Sequence, residues 1–316
     1  MAMMHPKRRK PFTVPRFEFT LDRFIAMKSK RISVVNTSAV PNPSPFRYPG
    51  GKSWLIPYVR KWVKSLKKPV RFAEPFAGGA NIGLTVALEN LAEHVILVEL
   101  DTDVAAVWQT VLGDEAHALS NKIMHFPMSK QQVRSVLKQK GRTQLTRAFA
   151  TLLKNRVRRG GIMTEDASLL RVGENGKGIK SRWYPETLRD RINKISRHRK
   201  KLTFLHGDGL EFIRIAGRTA NFAFFIDPPY ITAGQRLYKH SEIEHLRLFE
   251  TVKEISGDWL LTYENTKEVR AFAKAFGFAT RRIPMRTTHH RVKTELLISR
   301  NFSWLSSHSS AKAKKN

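Results

Sequence analysis

The chain has 316 residues, with 57 Lys and Arg against 26 Asp and Glu, a net charge of +31. It contains no cysteine, which excludes a disulfide scaffold, a cysteine-based zinc or iron–sulfur site and a thiol nucleophile. So basic a chain points to a polyanionic partner, because neutralising phosphates releases counterions; no apolar run approaches the roughly 20 residues that cross a bilayer, so no membrane partner is expected.

Residues 1–44 read as a flexible basic extension, with the run Lys7-Arg8-Arg9-Lys10 and prolines at 11, 15, 41 and 43. From Phe46 the pattern alternates short β-like runs with amphipathic helical stretches, the signature of an α/β domain. Strands are predicted at 70–73 and 95–98, each followed by a helix, at 80–91 and 104–112. Residues 121–200 break the alternation. They hold 21 basic and 5 acidic residues, about half of the total net charge in a quarter of the length, and carry helical patterns at 131–140, 146–157 and 185–197. This segment reads as an insertion. Alternation resumes with a strand at 202–205, a helix at 210–215 and the wholly apolar strand 222–226. A helix at 242–256, a strand at 259–262 and a helix at 267–276 follow. Two last strands, near 278–283 and 295–299, have no helix between them and should pair as a hairpin. The body is thus expected at 45–120 and 201–303, with a disordered polar tail at 304–316.

Chemistry-bearing residues recur where strands hand over to helices. Glu74-Pro-Phe-Ala-Gly-Gly-Ala-Asn81 follows the first strand, and glycines there let backbone approach a ligand beside a helix N-terminus. The second strand ends at Glu99, with Asp101 close behind. A carboxylate at that place can accept from a ribose diol, and Asp101 is equally well explained as an N-cap. Asp208 follows the third strand. Ligands of open α/β sheets bind at these carboxyl ends. The sharpest signal is Asp227-Pro228-Pro229-Tyr230 after the fourth strand. Two prolines fix the backbone and remove two N–H donors, leaving carbonyl and carboxylate acceptors beside an aromatic face. Such a site suits a planar ring bearing an amine. No carboxylate cluster with metal-site spacing appears, and no metal is expected.

With these segments in view, residues 46–300 resemble the Dam-type N6-adenine DNA methyltransferases. Phe46-Arg-Tyr-Pro-Gly-Gly-Lys-Ser53 is similar to the family's N-terminal cofactor segment, Glu74-Pro-Phe-Ala-Gly-Gly79 to its methionine-binding loop, and Asp227–Tyr230 to its catalytic tetrapeptide. Asn155-Arg156 with Gly160-Gly161, and Trp183-Tyr-Pro185, resemble the two ends of its recognition region, and Glu295-Leu-Leu-Ile298 resembles its terminal strand. The resemblance implies a Rossmann-like class I methyltransferase sheet with a terminal antiparallel hairpin and a mainly helical inserted target-recognition region.

It further implies S-adenosylmethionine as cofactor, held by Tyr48, Lys52, Glu74, Phe76, Gly78, Gly79, Glu99, Asp208 and Asp227, and double-stranded DNA as substrate. Asp227, Pro228, Pro229 and Tyr230 would hold a flipped adenine. The insertion's Arg156, Arg158, Arg159, Arg182, Arg189 and Arg191 would face phosphates and base edges. A cytoplasmic monomer is expected, with a cognate restriction endonuclease as a further candidate partner. One departure stands out: the family often has an aromatic residue after the acid of the third strand, where this chain has Gly209. Rival readings are a related enzyme acting on RNA adenine, cytosine N4 or a glutamine side chain, and a catalytically silent nucleic-acid-binding relative.

Overall fold

The computed structural model describes residues 40–47, 51–66, 71–158, 161, 168–230, 245–286 and 292–306. Seven strands form one sheet in the order β3-β2-β1-β4-β5-β7-β6: β1 (Arg71–Glu74), β2 (His94–Glu99), β3 (Leu202–His206), β4 (Phe222–Ile226), β5 (Asp258–Glu264), β6 (Ala279–Arg286) and β7 (Val292–Ser299). The first five run parallel, while β7 is inserted antiparallel between β5 and β6. This is the sheet of the class I methyltransferases, with the terminal hairpin that the sequence predicts. Strand order reverses between β1 and β4, so the crevice of the sheet opens at the carboxyl ends of those two strands.

Local sequence explains the elements. β4 (Phe-Ala-Phe-Phe-Ile) is buried along its whole length, as a central parallel strand covered on both faces must be. Phe222 and Phe224 stack at 5.3 Å in a core shared with Trp259, Tyr263, Leu296 and Phe249. The helices α1 (Ile56–Ser65), α2 (Asn81–Leu88) and α3 (Thr102–Leu112) precede the inserted region. In α1, Pro57 sits in the first turn, where its missing N–H costs nothing, and Ile56, Val59, Trp62 and Val63 form the buried face.

Beyond β2 the chain adds α4 (Ala116–Met124), α5 (Lys130–Lys138), α6 (Gln144–Val157) and α7 (Pro185–Arg197). α6 packs on α3 and α7 on α4, so the inserted region lies against the body. Its predicted start at 121 falls inside α4, whose buried face (Ala116, Leu119, Ser120, Ile123) begins before the basic run does. α8 (Gly209–Ala216), α9 (His245–Lys253) and α10 (Lys267–Ala275) complete the alternation; the predicted first residues of α9, at 242–244, lie outside the described residues.

Both chain ends pack further out than the sequence suggests. Ser44 and Phe46 are buried, so the body starts within the segment read as extension. The predicted disordered tail begins too early: α11 (Ser303–Ser306) buries Trp304, and Lys61 Nζ of α1 donates to the Leu305 carbonyl at 2.8 Å. Phe302 packs beside Trp304, with ring centres 5.9 Å apart.

Phe224, fully buried in the central strand, tests this packing. Phe224→Ala should lower unfolding stability in urea by about 3–5 kcal/mol; a loss under about 1 kcal/mol would contradict the core described.

Candidate active site

Each strand at the crevice delivers one carboxylate. Glu74 ends β1, is buried, and accepts from the Gly83 N–H at 2.7 Å. A Cβ at position 83 would lie 2.7 Å from that carboxylate and 2.6 Å from Leu97, so glycine is what lets α2 start so close. Between them the loop turns through Gly78 (φ 46°) and Ala80 (φ 49°), bringing the Gly78 N–H onto Glu99 Oε2 at 2.7 Å. The other oxygen of Glu99 accepts from Asp101 N–H at 2.8 Å. Trp108 of α3 donates its indole N–H to the Gly78 carbonyl at 2.9 Å. Glu99, at the end of β2, thereby fixes the glycine loop after β1.

The neighbouring acids act as helix caps. Asp101 accepts from Asp103 and Val104 at 2.7 and 3.2 Å, the N-cap role that was the alternative for this residue. Asp208 caps α8 through Leu210 and Glu211 at 2.7 and 3.1 Å, and its side chain is exposed. The glycine after it has a steric cause: a Cβ on residue 209 would stand 2.0 Å from the Pro75 carbonyl and 3.2 Å from the Phe76 ring. The aromatic residue common in the family therefore has no room here, and the half-buried Phe76 occupies that side of the crevice.

At the end of β4, Asp227 is gripped from two sides. Its Oδ1 accepts from Thr262 Oγ of β5 at 2.6 Å, and its Oδ2 pairs with Lys52 Nζ at 2.9 Å. Lys52 is 5% exposed; its ammonium also lies 3.9 Å from Glu295 of β7 and 4.9 Å from the centre of the Tyr230 ring. Tyr230 donates to Glu295 Oε2 at 3.2 Å and stacks on Tyr263 with ring centres 5.6 Å apart and planes 19° from parallel. His245 Nδ1 and the Tyr263 hydroxyl are hydrogen-bond partners behind that stack. Pro228 is buried and Pro229 half-buried. Thr262, Tyr263 and Glu295 are members of this cluster that the sequence reading did not assign to it. An acid opening the apolar run Leu296-Leu-Ile298 was the one available signal.

Burial sets the electrostatics. It pushes the Glu74 carboxyl well above the usual carboxylate range; the Gly83 N–H opposes this, the Asp227 charge adds to it, and Lys52 counters it. Glu99 is raised by the same desolvation, against the pull of the Asp101 and Gly78 N–H groups. Burial also raises the Tyr263 hydroxyl and lowers His245, whose neighbours Glu268 and Glu264 work the other way. Buried Glu74 and half-buried Glu99, both with the charged form disfavoured by desolvation, favour a ligand carrying positive charge at this crevice, and S-adenosylmethionine, with its sulfonium and amino groups, fits that donor set.

The arginines named from the insertion divide. Arg156 is buried, donates to the Pro45 carbonyl, and is pushed down to about 9 by desolvation and then by Arg191 and Arg47. Arg191 donates to the Ser44 carbonyl at 2.9 Å. Arg156 is a strut, a correction to its expected place at a DNA surface, since it is buried and its guanidinium binds backbone of this chain; the half-buried Arg191 also gives a donor to backbone. The Arg158 backbone bridges to Leu169. Arg182 is half-buried, and Arg189 pairs with Asp190 at 3.0 Å. Tyr48 and Arg159 lie outside the described residues.

Residues 48–156 match the D12 class N6 adenine-specific DNA methyltransferase family, in agreement with the resemblance carried by the motifs; Asp227–Tyr230 lie beyond the matched stretch. No curated protein matches the chain. Solved structures similar to it include an rRNA methyltransferase from Streptomyces viridochromogenes, at 12% identity over 78% of this chain and 84% of that one, TM-score 0.35. TrmK of M. capricolum with bound S-adenosylhomocysteine is similar at 8% identity over 77% and 68%, TM-score 0.34, and a precorrin-6y methyltransferase from Geobacter metallireducens at 9% over 77% and 84%, TM-score 0.33. The family match supports S-adenosylmethionine as the cofactor. No helix among the described residues is long and apolar enough to cross a membrane.

The raised Glu74 carboxyl makes a pH prediction. The folded chain keeps a proton there that the unfolded chain releases above about pH 4.5, so this group's contribution to stability falls as pH rises. Glu74→Gln can still accept from Gly83 and has no proton to lose. Its stability relative to the parent chain should increase from about pH 5 to about pH 8, read as the difference in urea midpoints; a difference constant over that range would contradict the assignment.

Proposed function

We propose that the chain methylates the exocyclic N6 amine of adenine in double-stranded DNA, with Asp227, Pro228, Pro229 and Tyr230 holding the base. The observation that carries this is the Asp227 carboxylate, clamped by Lys52 and Thr262 where the strand order of the sheet reverses. Each carboxylate oxygen has one such partner and a further lone pair, so the side chain can take an amine without losing its orientation. The adenine N6 would donate to Asp227 and to the Pro228 carbonyl, with the base stacked on the face of Tyr230 turned away from Tyr263. A base inside the duplex cannot reach this crevice, so the reading includes extrusion of the nucleotide, at a cost of a few kcal/mol.

S-adenosylmethionine would supply an electrophilic methyl carbon on a sulfonium. Glu74, Phe76, Gly78 and Gly79 would line its methionine side, and Glu99 would accept from its ribose hydroxyls. Asp208 stands at the adjacent strand end, with one oxygen engaged as a cap. Lys52, first read as a cofactor contact, acts on this account mainly through Asp227. Asp227 would stabilise the positive charge that develops on N6 during transfer of the methyl group from the sulfonium, and would accept the proton that N6 then loses. Positioning and electrostatic preorganisation do the work, without a covalent intermediate.

DNA is favoured by the family matched over residues 48–156 and by the charge of the inserted region; adenine is favoured by Asp227, since cytosine-directed relatives more often carry Ser there. An RNA-adenine enzyme is the rival with the same chemistry. Labelled S-adenosylmethionine offered with duplex DNA and with duplex RNA separates them. Digestion to nucleosides should yield N6-methyldeoxyadenosine, whereas label confined to RNA or to cytosine would overturn the reading. Asp227→Ala should cut methyl transfer by roughly a thousandfold or more and leave DNA affinity within about threefold; equal loss of both would mean a folding role. DNA binding should weaken steeply between about 50 and 200 mM salt, and a flat response would count against a phosphate-contacting surface.

A further inference from the structure

Helix α6 of the inserted region carries a side chain that the proposed chemistry does not use. Asn155 is fully buried. Its amide oxygen accepts the Arg47 N–H at 2.8 Å, and its amide nitrogen donates to the Arg47 carbonyl at 3.0 Å and to that of Gly161 at 2.9 Å. One side chain thus closes both backbone hydrogen bonds of Arg47, as a neighbouring strand would. The approach is tight, since a Cβ on Gly161 would stand 2.2 Å from the Arg47 carbonyl oxygen. The two carbonyls before Phe46 are held by the same region, Pro45 by Arg156 and Ser44 by Arg191. Between these anchors Phe46 is buried, with its ring centre 5.6 Å from that of Trp108, the residue that holds the Gly78 carbonyl.

Arg47 leads directly into the segment that ends at Lys52. Five residue steps span at most about 17 Å even when extended, so the place of Arg47 bounds where the Lys52 ammonium can stand relative to Asp227. We infer that Asn155, assisted by Arg191, is a positioning residue for Lys52: the inserted region anchors the backbone from which Lys52 reaches Asp227, besides any contact it makes with nucleic acid. The inference rests on the proposed function for its kinetic readout and on the backbone contacts alone for its structural one.

Removing Asn155 removes all three of these hydrogen bonds to backbone, a loss large enough to shift the local ensemble. The test compares Asn155→Ala and the milder pair Arg191→Met and Arg191→Lys with the full parent chain. Hydrogen exchange in the peptide spanning residues 44–54 should speed at least tenfold in Asn155→Ala, while peptides of β4 and β5 keep their protection. The dissociation constant for S-adenosylhomocysteine and the KM for S-adenosylmethionine should rise roughly tenfold or more, with DNA affinity within about threefold. Arg191→Met should show the same pattern more weakly, and Arg191→Lys, which keeps a donor for the Ser44 carbonyl, should restore it. Unchanged exchange and unchanged S-adenosylhomocysteine binding in Asn155→Ala would overturn the inference; so would a loss confined to DNA affinity, which would make this a recognition residue. If Asn155→Ala fails to fold, the Arg191 pair decides by the same readouts. Should the parent chain bind no S-adenosylhomocysteine, the proposed function fails, and the exchange measurement still judges the positioning claim.

Discussion

The crevice depends on one buried cation. Lys52 has its ammonium 2.9 Å from Asp227 and 3.9 Å from Glu295, and its charge also acts on Glu74. Three carboxylates delivered by β1, by the end of β4 and by β7 would otherwise face one another with little water, and like charges so placed cannot all stay ionised. Breaking a buried pair by removing one partner typically costs about 3–5 kcal/mol, because the other charge is left uncompensated. The strand ends can therefore hold acids in the geometry an amine requires because a lysine from before β1 reaches across to them.

That requirement explains the position of the inserted region. Lys52 itself lies outside the strands of the sheet, and elements elsewhere fix the described backbone ahead of it. The side chains that do so come from α6 and α7, and they bind backbone rather than other side chains: Asn155 on Arg47, Arg156 on Pro45, Arg191 on Ser44. A region that sequence composition marks as a polyanion-binding surface is, on its inner side, a scaffold for the crevice. Arg182 and Arg189 of the same region are half-buried, and Arg189 pairs with Asp190.

Much of this was legible in the chain. The apolar run of β4, the glycines after β1 and the tetrapeptide from Asp227 are local signals, and local signals locate strand ends well. What could not be read were contacts between distant segments. Thr262 and Tyr263 looked like any β5 residues, and only the β4–β5 pairing puts a hydroxyl on Asp227. Arg156 and Arg191 sit in a run of basic residues whose composition says nothing about which of them turn inward. The early boundary of the tail failed for the same reason: Phe302, Trp304 and Leu305 form a short apolar run before a polar end, and their docking near α1 is a contact between distant segments. Gly209 shows the converse, a visible departure from a family pattern whose cause, the Pro75 carbonyl, is visible only in three dimensions.

The dependence of Asp227 on Lys52 is measured most directly by a double-mutant cycle on the methyl-transfer rate with Lys52→Met, Asp227→Ala and the double variant. Residues acting as one unit give strongly non-additive losses. The account predicts that Lys52→Met alone slows methyl transfer severely, and that the double variant is no slower than Asp227→Ala within about threefold. Losses that multiply, so that the double variant falls by the product of the two single effects, would contradict it and make Lys52 an independent contact.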